Sequence, residues 1–415
     1  MHMSRQIFRV LLILTLIAGS SYAVERSPAD AAKVAQQVLA RALIVDTHED
    51  TPDAMLAGGY DLADPNSPLM VSIPKMRAGH LGAAFFSIYV SANRPGGDFI
   101  HGALDQIDLV YEQVGKHPEA LGLAFTADDV VRVHRQKRVA ILMGVEGGHL
   151  IENDLRLLAI LYRLGGRYLT LTHSASLDWA DSSTDKPRAH GLSDFGRQVV
   201  TRLNLLGMMV DISHVSDKTF SDALAVTKAP VIASHSSCRA LADNPRNMSD
   251  DMIRALAQND GVIQINFYSP YLDQTYAEAR KKVADPRRAE IQAARQRYAG
   301  DPKRREEEIR KIDARYEAQL PVPSFERIAD HIDHAVQVGG VDHVGLGSDF
   351  DGIDSAPRGL EDVSKLPTLV RELARRGYRE TDLEKILGGN LLRVMRRAED
   401  VARQMRMQTT TGEKP

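Results

Sequence analysis

The chain has 415 residues, 43% of them hydrophobic and 26% charged, a globular composition with enough apolar sequence for a large core. A formal net charge of −3 and an aromatic content of 6% give neither the basic field nor the stacking surface that nucleic-acid binding uses. A single cysteine, Cys238, excludes a disulfide within this chain, so stability must come from the core and from any bound metal.

The first 23 residues read as a secretory signal peptide. Arg5 and Arg9 form a positive region, VLLILTLIAG an apolar core, and Ser21, Tyr22 and Ala23 a small-x-small cleavage site. That core is far shorter than the roughly 20 residues of a permanent anchor. Export across the inner membrane into the periplasm, with no lasting membrane attachment, is the expectation.

Eight short apolar runs follow: LIVDTH (43–48), AAFFSIYV (83–90), VAILMGVE (139–146), YLTLTH (168–173), MMVDISH (208–214), PVIASH (230–235), GVIQINF (261–267) and HVGLGSD (343–349). Most are continuously apolar, as parallel strands buried on both faces are. Between them lie amphipathic stretches such as DLRLLAILYRLG and SDFGRQVVTRLNLLG, each with apolar residues at helical spacing and Gly near its end. This α/β alternation predicts a (β/α)8 TIM-like barrel over residues 24–403. One segment breaks the pattern. Residues 270–320 are dense in Lys, Arg and Glu and punctuated by Pro286 and Pro302, which predicts helices inserted between the seventh and eighth strands. Such an insertion is a solvated excursion, a lid or a dimer contact. Residues 404–415 read as a flexible tail.

The ionisable residues are placed unusually. His48, Glu146, His173, His214, His235 and Asp349 end the first, third, fourth, fifth, sixth and eighth runs. In a (β/α)8 barrel those strand ends share one rim, where enzymes of this fold carry their chemistry. A lone histidine after an apolar run is more often structural than a ligand, but six metal-capable residues at six strand ends are not explained that way. His48 and Asp50 stand two apart and point to one side of an extended chain, with Glu49 turned away. Imidazoles and carboxylates without thiolates suit zinc in an open site, with manganese, iron or cobalt as alternatives. The set exceeds what one catalytic zinc takes from a protein, whereas two cations sharing a carboxylate would use it.

At these positions the sequence resembles the membrane (renal) dipeptidases, a branch of the amidohydrolase superfamily. The resemblance is carried, in order over about 45–395, by VDTHEDTP, GVEGGHL, RYLTLTHSASLDWADS, VDISHVSD, IASHSSCRAL, NPRNMSDDMI, INFYS, VGLGSDFDGID and GLEDVSKLPTLVREL. It implies a (β/α)8 barrel and two divalent metal ions, zinc foremost. His48 and Asp50 would hold the first ion and His214 and His235 the second, with Glu146 bridging both. It further implies His173 as the residue that polarises the scissile carbonyl and stabilises the oxyanion, and Asp349 as the acid/base, both touching substrate. Arg246, helped by Tyr268, would bind the substrate's free carboxylate. The implied reaction is hydrolysis of dipeptides, including those with a C-terminal D-residue, by a metal-bridging hydroxide. The implied partners are these small molecules and a second copy in a homodimer.

The sequence departs from the family at Glu49, where Asn is frequent, and in its long insertion. Two other readings remain. One is a different amidohydrolase reaction at the same centre, on a β-lactam, lactone or N-acyl amino acid, which Arg246 would distinguish. The other is a non-catalytic metal-dependent binding protein, against which the complete ligand set with Asp349 argues.

Overall fold

The computed structural model describes residues 25–94 and 96–411, so the signal-peptide reading of residues 1–23 lies outside the described residues. Val, Ile, Leu and Ala runs form the strands β1 (Ile44–Glu49), β2 (Leu81–Tyr89), β3 (Leu121–Leu123), β4 (Val139–Glu146), β5 (Gly166–Thr170), β6 (Met209–Asp211), β7 (Ile232–Ser236), β8 (Val262–Ile265) and β9 (Val344–Leu346). All pairings are parallel, and nearly every strand residue is buried, as continuous apolarity requires. Neighbours run β2-β1-β9-β8-β7-β6-β5-β4, and β2 also pairs with β4, which closes eight strands into a ring. This is the expected (β/α)8 barrel. The short strand β3 has no counterpart in the sequence reading. It pairs with the first residues of β4, while β5 takes the later ones on the same edge, so β3 adds a strand without widening the ring.

Alternation along the strands divides the core in two. On β2, Ala83 and Phe85 join one cluster with Val45, Ala140, Leu142, Tyr168, Met209, Ile232 and Val262, which fill the barrel. Ala84, Phe86 and Ile88 join the other, packed against the surrounding helices. Phe85 and Tyr168 stack across the interior with centroids 5.3 Å apart. Gly144 makes room for them: a Cβ there would sit 1.8 Å from the Tyr168 ring. Leu391, Val394, Met395 and Ala398 of the C-terminal helix belong to the interior cluster and plug the end of the barrel away from the site. That helix spans Asn390–Thr411, so the chain stays helical beyond residue 404, where the sequence leads one to expect a tail.

The outer helices follow local rules. Helix Asp194–Leu206 starts at Ser193, whose side chain accepts from the Gly196 N–H, and stops at Gly207 in the left-handed region. It buries Val199, Val200 and Leu203 on one stripe. Between β8 and β9 the charged segment folds into two helices, Gln274–Arg297 and Pro302–Glu317, packed around Ala294, Ile312 and Tyr316. Pro302 opens the second helix, but Pro286 falls inside the first instead of ending it. Among the described residues no helix is long and apolar enough to cross a membrane.

The long connection after β5 packs against the loop after β6, and Asp181 organises it. Its carboxylate accepts backbone N–H groups of Arg188 (2.6 Å), Ala189 (2.8 Å) and Gly191 (2.6 Å). Burial alone would raise its pKa, but these donors outweigh burial and hold the carboxyl below the usual range. A depressed folded-state pKa means stabilisation that is present above the unfolded value near 3.9 and lost as pH falls through the folded one. Asp181→Ala is therefore expected to cost about 2–4 kcal/mol at neutral pH, read by denaturant unfolding. The gap to the parent should narrow below about pH 4. A loss under about 0.5 kcal/mol would mean that the loop is held by something else.

Candidate metal centre

Closure of the ring brings the strand ends to one rim. His48 and His235 lie within β1 and β7, and Glu146 is the last residue of β4. His173, His214 and Asp349 follow just after β5, β6 and β9. His214 and Asp349 both take left-handed backbone, each with φ of 67°, which turns the chain sharply at its strand end.

Glu146 stands in the middle. Its Oε1 lies 3.0 Å from His214 Nε2, 3.4 Å from His235 Nε2 and 3.8 Å from His173 Nε2, and its Oε2 lies 3.4 Å from His48 Nε2. Ser87 donates to Oε2 at 3.1 Å. Asp50 Oδ2 is 3.7 Å from His48 Nε2, and Asp349 accepts from Asn266 Nδ2 at 2.9 Å. Donor atoms fall into three overlapping groups, each within 4.8 Å: His48, Glu146 and His235; Glu146, His173 and His214; His48, Asp50 and Asp349. All five residues assigned by resemblance to the metals are thus brought together, with His173 and Asp349 beside them. The pairing is less simple than expected, because His235 groups with His48 as well as facing His214, the two Nε2 atoms being 2.8 Å apart. Glu49 belongs to none of the groups.

Two of the imidazoles, His48 and His235, are turned toward the centre by their hydrogen-bond partners. The Tyr168 hydroxyl donates to the Thr47 carbonyl at 3.1 Å, so at 2.8 Å it accepts from His48 Nδ1–H and points Nε2 at the centre. Ser234 Oγ donates to Asp211 at 2.6 Å and so accepts from His235 Nδ1–H at 2.8 Å, with the same result. Asp211 is fixed by Thr170 Oγ1 at 2.5 Å and by the N–H groups of Ser213 and Ser234.

The electrostatics call for a cation. Burial would raise Glu146, but His48 and His173 reverse this and hold its carboxyl well below the ordinary range. Burial pushes Asp50 well above that range and raises Asp349. Burial also opposes charge on His48, yet Glu146, Asp50 and Asp349 outweigh it and lift its pKa to about 10. His214 and His235 are driven well below their usual value by burial, with Arg246 adding to the effect, and are neutral ligands-in-waiting. The buried His48 Nε2 and Asp50 Oδ1 have no hydrogen-bond partner. Three carboxylates, the neutral imidazoles of His214 and His235, and a His48 Nε2 whose proton a cation would displace fit divalent cations, and the absence of thiolate among them suits zinc or its neighbours.

Beside the centre lies Arg246, 4% exposed, on the loop after β7. Its Nη2 donates to the His235 carbonyl at 3.1 Å, while Nε and Nη1 have no partner. The ring over its guanidinium is that of Tyr271, 5.5 Å away. Tyr268, the expected helper, stands one ring further out, edge-on to Tyr271 at 4.9 Å. Tyr89 covers the other side, its ring 4.5 Å from that of His173. Tyr168, Asp211, Tyr89 and Tyr271 escape the sequence reading. Only Asp211 leaves a signal, an acid inside an apolar strand.

A closed parallel barrel whose rim gathers imidazoles and carboxylates around one buried glutamate defines a metal-dependent hydrolase. Comparison with known proteins makes the assignment narrower. The membrane dipeptidase family, peptidase family M19, matches residues 32–409, and the chain belongs to it. It is 38% identical over 341 residues to the dipeptidase tcpJ of Claviceps purpurea, covering 80% of this chain and 70% of that one. It is 37% identical over 391 residues to an uncharacterized dipeptidase of Schizosaccharomyces pombe, covering 89% and 84%. The crystal structure of a probable dipeptidase, PvdM, from Pseudomonas aeruginosa superposes with a TM-score of 0.77 at 29% identity, covering 91% of this chain and all of that one.

The hydroxyl of Tyr168 is the acceptor that orients His48. Tyr168→Phe keeps the ring and removes that acceptor, and is expected to weaken metal binding about 10–100-fold, measured by competition with a chelator. A variant that holds metal as tightly as the parent would show that the hydroxyl does not set the ligand.

Proposed function

We propose that the chain is a zinc-dependent dipeptidase, exported to the periplasm by its N-terminal leader, that hydrolyses dipeptides with either configuration at the C-terminal residue. One observation carries the reading: Glu146 lies within 3.8 Å of imidazole nitrogens from four different strand ends. Its two oxygens face different histidines, as a carboxylate shared between two cations would. His48 and Asp50 would hold one ion and His214 and His235 the other, with Glu146 common to both.

Divalent cations held by these residues would supply Lewis acidity, acidifying bound water from a pKa of about 15.7 toward neutrality and polarising the scissile carbonyl. The protein's residues supply the rest. Arg246 presents a nearly buried guanidinium whose Nε and Nη1 have no partner, a cation with donors to spare for the substrate's C-terminal carboxylate. A carboxylate held there limits the length of peptide beyond the scissile bond to one residue. Burial lowers the pKa of His173, so its ring is neutral and can donate one hydrogen bond to the oxyanion. Asp349, oriented by Asn266 and adjacent to Asp50 and His48, takes the proton of the attacking water and passes it to the leaving amine.

A panel of L,L and L,D dipeptides, their amides and a β-lactam, combined with metal analysis of the purified mature protein, tests this reading. Two metals per chain and turnover of unblocked dipeptides are expected. Arg246→Ala should lower kcat/KM for dipeptides about 100-fold or more while sparing a substrate without a carboxylate. His173→Ala should lower kcat about 10²–10³-fold. Activity that survives chelation together with Asp349→Asn, or β-lactam turnover exceeding that of every dipeptide, would refute the proposal.

A further inference from the structure

The inserted helices are joined to the site by an unbroken chain of contacts. Arg280, on helix Gln274–Arg297, grips Asp354 with both ends of its fork, Nη1 to Oδ1 at 2.9 Å and Nη2 to Oδ2 at 2.6 Å. The same guanidinium lies 5.7 Å from the Tyr268 ring. Tyr268 meets Tyr271 edge-on at 4.9 Å, and Tyr271 lies 5.5 Å from the Arg246 guanidinium. Asp354 follows Asp349 on the loop after β9, and the N–H of Ser269 donates to the carbonyl of Ser355 at 3.0 Å, which fastens that loop to the one carrying both tyrosines.

The guanidinium of Arg246 has a single hydrogen bond, through Nη2, and could turn about it. A fork that must meet a carboxylate along two parallel bonds gains little from charge alone and much from a fixed plane. The Tyr271 ring supplies that fixing surface, Tyr268 backs it, and Arg280 and Asp354 hold Tyr268 in turn. The Arg280–Asp354 pair is partly exposed, with side chains 24% and 50% accessible, so it contributes little to stability. Its effect is on geometry.

We propose that Arg280 is a positioning residue for substrate recognition: through Asp354, Tyr268 and Tyr271, the root of the helical insertion presets Arg246 for the C-terminal carboxylate. The inference rests on the role given to Arg246 above. It makes the insertion part of the recognition apparatus, acting from outside the barrel on a residue it does not touch.

Steady-state kinetics of the full mature enzyme, with its metal, test it. Arg280→Ala is expected to raise KM for an unblocked dipeptide about tenfold while kcat falls less than about threefold, the pattern of lost uniform binding. The already low kcat/KM of the matching dipeptide amide should hardly move, and metal content should match the parent. Asp354→Asn, which breaks the pair from the other side, should reproduce the KM effect and decides the matter if Arg280→Ala does not fold. Arg280→Lys, a cation without the fork, should fall between. Unchanged KM in both Arg280→Ala and Asp354→Asn overturns the proposal. So does an equal loss on dipeptide and amide accompanied by loss of metal, the mark of general damage. Arg246→Ala run alongside separates two failures. If it does not discriminate dipeptide from amide, the role of Arg246 falls and this proposal with it; if it does and the Arg280 variants do not, only the brace is wrong.

Discussion

A carboxylate buried as deeply as that of Glu146 is tolerated only where positive charge or donors meet it. Here the charged His48 and the Ser87 hydroxyl meet part of that need, and imidazoles from four strand ends can gather around the carboxylate because the ring is closed. The β2–β4 pairing sets Tyr89 opposite Glu146, the β4–β5 pairing sets Glu146 opposite Thr170, and parallel strands all end on the same side. A single sheet of the same strands, left open at β2 and β4, would spread these groups along an edge. Closure therefore converts residues distant in the chain into one electrostatic unit, and the excess of carboxylates over cations in that unit makes it a receptor for metal rather than a satisfied ion cluster.

Beneath the candidate ligands a second set of residues orients the rings of His48 and His235. Tyr168 rises from the interior, where Gly144 and Phe85 give it room, and its hydroxyl reaches His48. On the other side Asp211, anchored by backbone N–H groups, works through Ser234 on His235. The packing of the barrel and the chemistry of its mouth thus share residues. A change that refilled the interior around position 144 would displace Tyr168 and, with it, the orientation of a ligand.

Much of this is readable in the sequence, for identifiable reasons. Continuous apolar runs mark buried parallel strands, and polar residues at their ends stand out against them, so His48, Glu146, His173, His214, His235 and Asp349 all show themselves. The insertion is visible from charge density alone. What sequence hides are residues whose meaning depends on what lies across the ring. Tyr168 looks like any strand aromatic until the barrel closes on His48. Tyr271 lies three residues from the motif residue Tyr268, and only the turn of the helix Ser269–Leu272 decides which ring faces Arg246. The strand β3 is too short, at three residues, to stand out by pattern. Pro286 reads as a break, yet it sits inside a helix that packs on its partner.

The two tasks of the site are built on different parts of the fold. The ligands sit on strand ends and first turns, where packing on both faces leaves little freedom. In the proposed function, recognition falls to the loops after β7, β8 and β9, which carry Arg246, Tyr271 and Asp354. The charged helices belong to this second group. Their own core is small, Ala294, Ile312 and Tyr316 with a few partly buried neighbours, and surface pairs such as Lys311 with Glu307 add little. Only at the root does the hairpin gain firm purchase, with Tyr276 fully buried and Arg280 locked on Asp354. A segment that packs loosely at its tip and is fixed at its base meets the loops around Arg246 through that base, which is where the proposed recognition would feel a change in the insertion.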